Sequence, residues 1–403
     1  MKYLVLIPDG MADEQIEALG GLSPMEKANK PVMDELAKTA LVGTVSNVPE
    51  GMVPESDTAN LAILSYDPKE FSKGRSPLEA VSIGIEMQPD EVAYRCNVVT
   101  LSDNGEDYDD KIILDHSADE ISTAEADELI KALEAEMGDE IKKFYTGISY
   151  RHCLIWKNGN DKYNFNRPHD ILGRRIGEYL PDKETGKEFY DLMRKSFDIL
   201  NHHPVNEARR ARGLKPANSA WLWSPGKKPQ LPSFEEKWGL KGAVISAVDL
   251  IKGIGLCAKM RSIDVEGATG NVHTNYKGKA DAAIEAFRDG AELVYVHVEG
   301  PDECGHRAEL ENKVTCIERI DGEILAPVLA YLRESGEDFK IMILPDHPTP
   351  IRIRTHTILP VPFLIYSSTK PQNGVACFSE ESAKAQNYYV ENGYTLMGLL
   401  TQK

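Results

Sequence analysis

Asp302 and His306 stand four residues apart, just after the apolar run Leu293 to Val298. Asp346 and His347 are adjacent and follow a second apolar run, Ile341 to Leu344. His356 comes shortly after, in Arg354-Thr355-His356-Thr357. Carboxylates and imidazoles gathered in one C-terminal stretch make a metal-site pattern. Mixed oxygen and nitrogen donors suit Mn2+ or Zn2+ at a catalytic centre better than Ca2+ or Mg2+. In a helix, residues four apart share a face, so Asp302 and His306 would point together. Gly305 between them also permits an irregular turn.

These residues need strands to carry them. Continuous apolar runs read as buried strands of a parallel sheet, and in such sheets ligands sit beyond the carboxyl ends. The first run, Tyr3 to Ile7, ends in Pro8-Asp9-Gly10, so Asp9 is either a further strand-end ligand or a turn residue. Pro54 to Tyr66 reads as a loop entering a helix with Ser56 at its start. Ser56 is either an N-cap or a nucleophile, since a helix N-terminus offers positive potential and free N–H groups to a phosphate. Asp9, Ser56, Asp302, His306, Asp346, His347 and His356 make seven ligands. A structural zinc site needs about four, usually with Cys. Seven suggest two neighbouring divalent ions, the arrangement that clamps attacking and leaving oxygens in phosphoryl transfer.

The chain has 403 residues, 41% hydrophobic and 27% charged, with a formal charge of −18. That length predicts two domains. The negative charge argues against nucleic acid or an anionic membrane as partner. An anionic small molecule would have to meet metal ions or local Arg and Lys. The N-terminal apolar run is too short for a secretory leader, and no run is long enough to span a membrane. Six scattered cysteines without a CxxC pair read as reduced thiols of a cytoplasmic protein. No GxxxxGK[ST] or GxGxxG nucleotide loop is present.

From about Ser76 the parallel pattern stops. Pro77 to Ile85 reads as a connecting segment, Val92 to Thr100 and Tyr150 to Trp156 as strands, Thr123 to Met137 as a helix, and Glu188 to Ala211 as one long helix. This predicts an α/β core of residues 1–75 and 215–403, with an inserted α+β domain at 76–214. In the insert, Arg95, Arg151, His152, His169, Asp170 and Arg175 are candidates to grip an anionic substrate, Arg forks matching carboxylate and phosphate. For any one of them taken alone, a surface ion pair or a satisfied structural histidine is the more common role. Pro216 to Trp223 and Lys241 to Val248 read as strands returning to the core, and Lys252 follows on a helix.

An early strand-end Asp, a Ser at a helix start, a long interval, then Asp-x3-His, Asp-His and a late His is the chain order of the alkaline phosphatase superfamily. Over nearly its whole length the sequence resembles the archaeal-type, cofactor-independent phosphoglycerate mutases. The matching stretches are Ile7 to Asp13, Glu55 to Leu61, Gly74 to Ala80, Arg95-Cys96-Asn97, Pro301 to His306 and Pro345 to Pro350. The resemblance implies an alkaline-phosphatase-like core with a mostly parallel sheet flanked by helices, and an inserted substrate domain. It implies that Asp9, Ser56, Asp346 and His347 hold one metal and that Asp302, His306 and His356 hold the other. It makes Ser56 the nucleophile that becomes phosphoserine and Lys252 a phosphate-binding lysine. The implied reaction interconverts 3-phosphoglycerate and 2-phosphoglycerate without 2,3-bisphosphoglycerate. Glu55 and Ser65 depart from frequent glycines of the family, as does Ser76, and the Arg95 to Leu101 strand lacks the commoner aromatic version. These departures resemble a bacterial branch proposed to phosphorylate homoserine. A homoserine kinase-like phosphotransferase, a phosphatase and a non-catalytic metal- or metabolite-binding protein are the alternatives.

Overall fold

The computed structural model describes residues 1–402. Its strands are β1 (Lys2–Pro8), β2 (Leu41–Val45), β3 (Glu91–Leu101), β4 (Ile113–Asp115), β5 (Lys142–Ile148), β6 (Arg151–Lys157), β7 (Ser219–Lys227), β8 (Gly242–Ile245), β9 (Arg261–Ile263), β10 (Leu293–Val298), β11 (Phe339–Ile343), β12 (Val361–Ser367) and β13 (Tyr389–Val390). The chain divides into two compact units, Met1–Ser72 with Gln230–Lys403, and Lys73–Pro229.

The first unit is built on one sheet in the order β13-β2-β12-β11-β1-β10-β8-β9. The run β11-β1-β10-β8-β9 is parallel throughout, and β12 is antiparallel to both its neighbours. β10 and β11 are buried along their whole length, and β1 from its second residue on. That is why these segments read as unbroken apolar runs: helices cover both faces, so no residue alternates to water. Asp9 follows β1 and Asp346 lies just past β11. β10 leads into the helix Gly300–Arg307. Three neighbouring strands therefore deliver three carboxylates to one edge of the sheet.

The second unit is a smaller antiparallel sheet centred on β3, which pairs with β4, β6 and β7, while β5 pairs with β6. The helices Thr123–Met137 and Lys187–Leu200 bury their apolar faces in its core, against Tyr94, Leu154 and Trp221. Three expectations need correction here. The strand read as returning to the core near residue 216 is β7, and it stays in this unit because it pairs with β3 from Val92 to Val99. The long helix expected at Glu188 to Ala211 is two helices, Lys187–Leu200 and Pro204–Ala211. Pro204 has no N–H to continue the first and takes the opening position of the second, where none is needed. The segment after Ser76 forms a short helix, Ser76–Ser82, rather than a plain connection.

One buried ion pair ties the first unit's chain ends together. Lys313 Nζ lies 2.7 Å from Asp13 Oδ2 and donates to the Thr349 carbonyl at 2.9 Å. Asp13 also accepts from the Ile351 N–H at 3.1 Å. Both side chains are shielded from water, at 0% and 1% exposure, so removing one charge strands the other. Lys313→Met is expected to cost about 3–5 kcal/mol, as breaking one half of a buried pair does. Urea unfolding would show it as a lower midpoint at unchanged slope. A loss below about 1 kcal/mol would mean that Asp13 finds solvent or another cation once the lysine is gone.

Candidate metal centre

The strand ends bring Asp9, Asp302 and Asp346 together, all buried. Asp346 is held on every side: Gly10 N donates to Oδ1 at 3.2 Å, His347 N to Oδ1 at 2.9 Å, and Asn60 Nδ2 to Oδ2 at 2.9 Å. Asn60 is itself fixed by Tyr295, whose hydroxyl donates to Asn60 Oδ1. Gly10 has a φ of +62°, and a Cβ there would fall 2.6 Å from Thr349 Oγ1 and 2.7 Å from Asp302 Cα. Gly305 is equally confined, because a Cβ would meet the Thr349 carbonyl at 2.5 Å. These two glycines let the segment around Thr349 pass between the carboxylates, where its hydroxyl donates to Asp302 Oδ1.

The helix Gly300–Arg307 is regular, so Asp302 and His306 do share a face, with His306 Nε2 3.3 Å from Asp302 Oδ2. His356 Nε2 lies 3.2 Å from Asp302 Oδ1 and 2.9 Å from His306 Nε2. His347 Nε2 lies 3.5 Å from Asp346 Oδ2 and 3.7 Å from Asp9 Oδ1, and its ring stacks on that of His356 at 3.8 Å. The outer ring nitrogens are occupied elsewhere. Nδ1 of His306 donates to the Arg354 carbonyl at 2.9 Å and Nδ1 of His356 to the Pro54 carbonyl at 2.6 Å. His347 Nδ1 sits 3.3 Å from Thr349 Oγ1. Each tether fixes the ring with Nε2 turned to the carboxylates, the usual arrangement of metal-binding histidines.

Ser56 opens the helix Ser56–Ile63 but is not its N-cap; that place is taken by Glu55. Its hydroxyl is partly exposed and lies 3.2 Å from His347 Nε2. The cap reading is thereby set aside, and the hydroxyl faces the cluster.

The electrostatics explain what the cluster lacks. Among the described residues, the three carboxylates have no Lys or Arg ion-pair partner, only imidazoles. Burial, then the charges of Asp346 and Asp302, raise the Asp9 carboxyl well above its ordinary range. Burial also works against ionisation of Asp302, but hydrogen bonds from His306 and His356 hold it well below the carboxylate norm. The same bond to Asp302 raises His306 to about 9. Asp9 Oδ1 is buried without a hydrogen-bond partner. Crowded, buried oxygen and nitrogen donors, one of them unsatisfied, are a fit for divalent cations.

The neighbourhood holds residues that were not legible as functional. His297, in β10, is fully buried and lies 3.2 Å from Asp9 Oδ2. Burial lowers it to about 4. Lys279 is buried too, donates to the His297 carbonyl at 2.9 Å, and is lowered by burial to about 8. Glu299 is raised by burial and by Asp302 to about 7. The sequence offered no signal for the first two beyond residue type, as His297 lies inside an apolar strand and Lys279 inside an ordinary amphipathic helix. Lys252 is held locally, 2.8 Å from Asp264 and 3.4 Å from Asp249, and those carboxylates keep its pKa raised despite burial.

In the second unit the six expected substrate residues do not form one set. Arg95 pairs with Glu79 and lies 4.5 Å over the Trp223 ring, and His169 packs on the same ring at 5.4 Å. His116 lies between His169 and Tyr150, and Arg151 covers Tyr150. His116 and Trp223 were not singled out from the sequence. Asp170 lies 3.7 Å from His169. Arg175 is exposed and engaged by Asp110. His152 is buried, accepts the Gly147 N–H at 3.1 Å, and is lowered by burial to about 4, so it offers no positive charge at neutral pH.

The fold and site define a metal-dependent enzyme of the phosphoryl-transfer type. A family model for 2,3-bisphosphoglycerate-independent phosphoglycerate mutase matches residues 37–206. The chain is 46% identical to a probable enzyme of that name from Geobacter sulfurreducens and 47% identical to one from Methanosarcina barkeri, in each case over 100% of both chains. Among solved structures, it matches a protein of Pyrococcus horikoshii with a TM-score of 0.81 at 28% identity, covering 99% of this chain and 96% of that one. It matches the cofactor-independent phosphoglycerate mutase of Thermoplasma acidophilum with a TM-score of 0.67 at 25% identity, covering 100% and 99%. The chain belongs to the 2,3-bisphosphoglycerate-independent phosphoglycerate mutase family.

Gly10 supplies a test of the packing that holds the carboxylates. Gly10→Ala must place a methyl group against Thr349 and Asp302 in the left-handed region. It is expected to cost at least about 2 kcal/mol in the chelated protein, from backbone strain and overpacking together. It should also retain less Mn2+ after gel filtration than the parent. Full stability with full retention would show that the strap around Thr349 moves freely.

Proposed function

We propose that this chain interconverts 3-phosphoglycerate and 2-phosphoglycerate without 2,3-bisphosphoglycerate, through a phosphoserine formed on Ser56. The observation that carries this reading is the partly exposed Ser56, its hydroxyl 3.2 Å from His347 Nε2 and beside three buried carboxylates with no Lys or Arg ion-pair partner among the described residues. Asp9, Ser56, Asp346 and His347 would hold one divalent ion, and Asp302, His306 and His356 would hold the other. By mutual proximity His347 also groups with Asp302 and His356, within 4.8 Å. Its short approach to Ser56 supports placing it with the nucleophile. Donor chemistry favours Mn2+ or Zn2+. When bound, the ions lower the pKa of the serine hydroxyl and neutralise charge on the phosphoryl oxygens.

The chain's own residues do the rest. Ser56 Oγ attacks phosphorus in line, the new Oγ–P bond forming as the bond to the glycerate 3-oxygen breaks. The hydroxyl's proton ends on the departing oxygen. Glycerate reorients, its 2-hydroxyl attacks the phosphoserine, and Ser56 recovers its proton, so nothing is consumed. The helix Ser56–Ile63 begins at Ser56, so its N-terminus, which favours a phosphate, adjoins the reacting hydroxyl. Asn60 holds the Ser56 carbonyl at 2.8 Å and Asp346 at 2.9 Å, which locks the nucleophile's helix to the ligand set. Lys252 remains the proposed phosphate-binding lysine, once substrate competes with Asp249 and Asp264. In the second unit, Arg95, Arg151, His169 and Arg175 are proposed to recognise the acid group, and Asp170, 3.7 Å from His169, to bind the substrate through that histidine. His152 is the weakest member of that set. The six free cysteines suit a reducing compartment, and we place the protein in the cytoplasm on that ground. Among the described residues no helix is long and apolar enough to cross a membrane.

Ser56→Ala is expected to abolish isomerisation measured without added 2,3-bisphosphoglycerate. It should also remove the phosphoserine that mass spectrometry finds on the Ser56 peptide after quenching the parent with substrate. Retained turnover would overturn the nucleophile assignment. Chelation should abolish activity reversibly, with Mn2+ or Zn2+ restoring it, and should lower the unfolding temperature because the ions bind only the folded chain. Activity that survives exhaustive chelation would exclude the two-ion mechanism.

A further inference from the structure

We propose that His297 is itself a metal ligand, binding through Nε2 the ion held by Asp9 and Asp346, so that the seven-residue ligand pattern is one residue short. The inference rests on the two-ion reading above and adds a residue to it.

Two atoms left without partners carry the argument. His297 Nε2 is buried, lies 3.2 Å from Asp9 Oδ2, and makes no hydrogen bond. Asp9 Oδ1 is buried and makes none either. A core histidine that merely paired with Asp9 would aim an N–H along the line to the carboxylate, and both groups would be satisfied. Here His297 Nε2 and Asp9 Oδ1 are both left over, and each buried polar atom without a partner costs about 1–3 kcal/mol. A cation between them satisfies both. One donor atom each from Asp9, His297 and Asp346 lie within 4.8 Å of one another, all three residues buried. That is close to the spread of donors around a single ion with bonds of about 2.0–2.2 Å.

The other ring nitrogen points to the same conclusion. His297 Nδ1 lies 3.3 Å from Ser246 Oγ, which also accepts the Val248 N–H at 3.0 Å. A ring tethered at Nδ1 to an oxygen, with Nε2 turned to the carboxylates, is the arrangement His306, His356 and His347 adopt. His297 differs only in its support. It sits within β10, in register with Ile7 of β1, and Lys279 holds its carbonyl. A ligand mounted on a central strand is held more tightly than one on a loop.

The test uses Co2+ titrated into the full-length, metal-stripped parent, His297→Gln and His297→Cys, read by metal content and absorption spectra. In His297→Gln, one of the two cobalt ions should bind at least about tenfold more weakly, with a changed visible spectrum, while the other is unaffected. In His297→Cys, tight binding should return with a thiolate-to-cobalt charge-transfer band in the near ultraviolet, since thiolate is a ligand imidazole can be exchanged for. If His297→Gln binds both ions as tightly with an unchanged spectrum, or His297→Cys shows no such band, His297 is not a ligand. If His297→Gln fails to fold, the charge-transfer band of the cysteine variant still decides. A parent that takes up no cobalt would instead sink the two-ion reading itself, so the two failures are distinguishable.

Discussion

Three carboxylates of like charge, Asp9, Asp302 and Asp346, are forced into one buried space at the carboxyl ends of β1, β10 and β11. Such an arrangement is unfavourable in itself. Desolvation and mutual repulsion both oppose ionisation, and no lysine or arginine relieves them. The chain responds in two ways that the pKa directions record. Asp9 is driven up by burial and by its neighbours, while Asp302 stays ionised by drawing hydrogen bonds from His306 and His356. A folded protein that keeps so costly a cluster keeps it for something other than stability, and divalent cations are the natural complement.

Holding the cluster open requires rigidity rather than flexibility. Asp346 accepts bonds from Gly10, Asn60 and its own neighbour His347, so its carboxylate cannot rotate to escape Asp9. Thr349 reaches Asp302 only because Gly10 and Gly305 leave room for it. Lys313 then anchors the Thr349 carbonyl and Asp13 from beneath. The same network reaches Ser56, the proposed nucleophile, since Asn60 joins its carbonyl to Asp346. Positioning of the serine and positioning of the carboxylate are thus one mechanical problem, solved by one amide side chain.

Much of this was legible in the sequence, for reasons that also mark where legibility ends. Asp9, Asp346 and the Asp302–His306 pair stand out because they interrupt or follow apolar runs, and polar residues at strand ends announce themselves. Ser56 was readable as a helix start, but only the structure sets the cap reading aside, by placing Glu55 at the N-cap. His297 could not be found this way. It lies inside the run Leu293–Val298, where a histidine looks like an ordinary member of a buried strand. In the second unit, residue type alone could not tell the buried, neutral His152 from His169, which lies against Trp223 beside Arg95. The boundary at β7 was misplaced because an antiparallel strand closing the insert and a strand re-entering the core have the same apolar texture. Pairing partners, not composition, distinguish them.

Ser65 shows how the core tolerates a long insertion between its halves. Its φ of +72° lies in the left-handed region, which accounts for the glycine frequent at this position in the sequences it resembles. A serine there carries backbone strain that glycine would not. Two contacts hold it, and both come from the far side of the insertion. Trp238 Nε1 donates to Ser65 Oγ at 2.7 Å, and Lys237 donates to the Ser65 carbonyl. Tyr66 reaches across as well, donating to the Pro232 carbonyl at 2.8 Å. The chain therefore leaves the first unit and re-enters it at a single sewn point. The strand that leads to Asp9 and the helix that carries Ser56 lie before that point, and the strands that lead to Asp302 and Asp346 lie after it. A serine in place of glycine adds a side-chain link to these backbone links, because its hydroxyl accepts the Trp238 N–H.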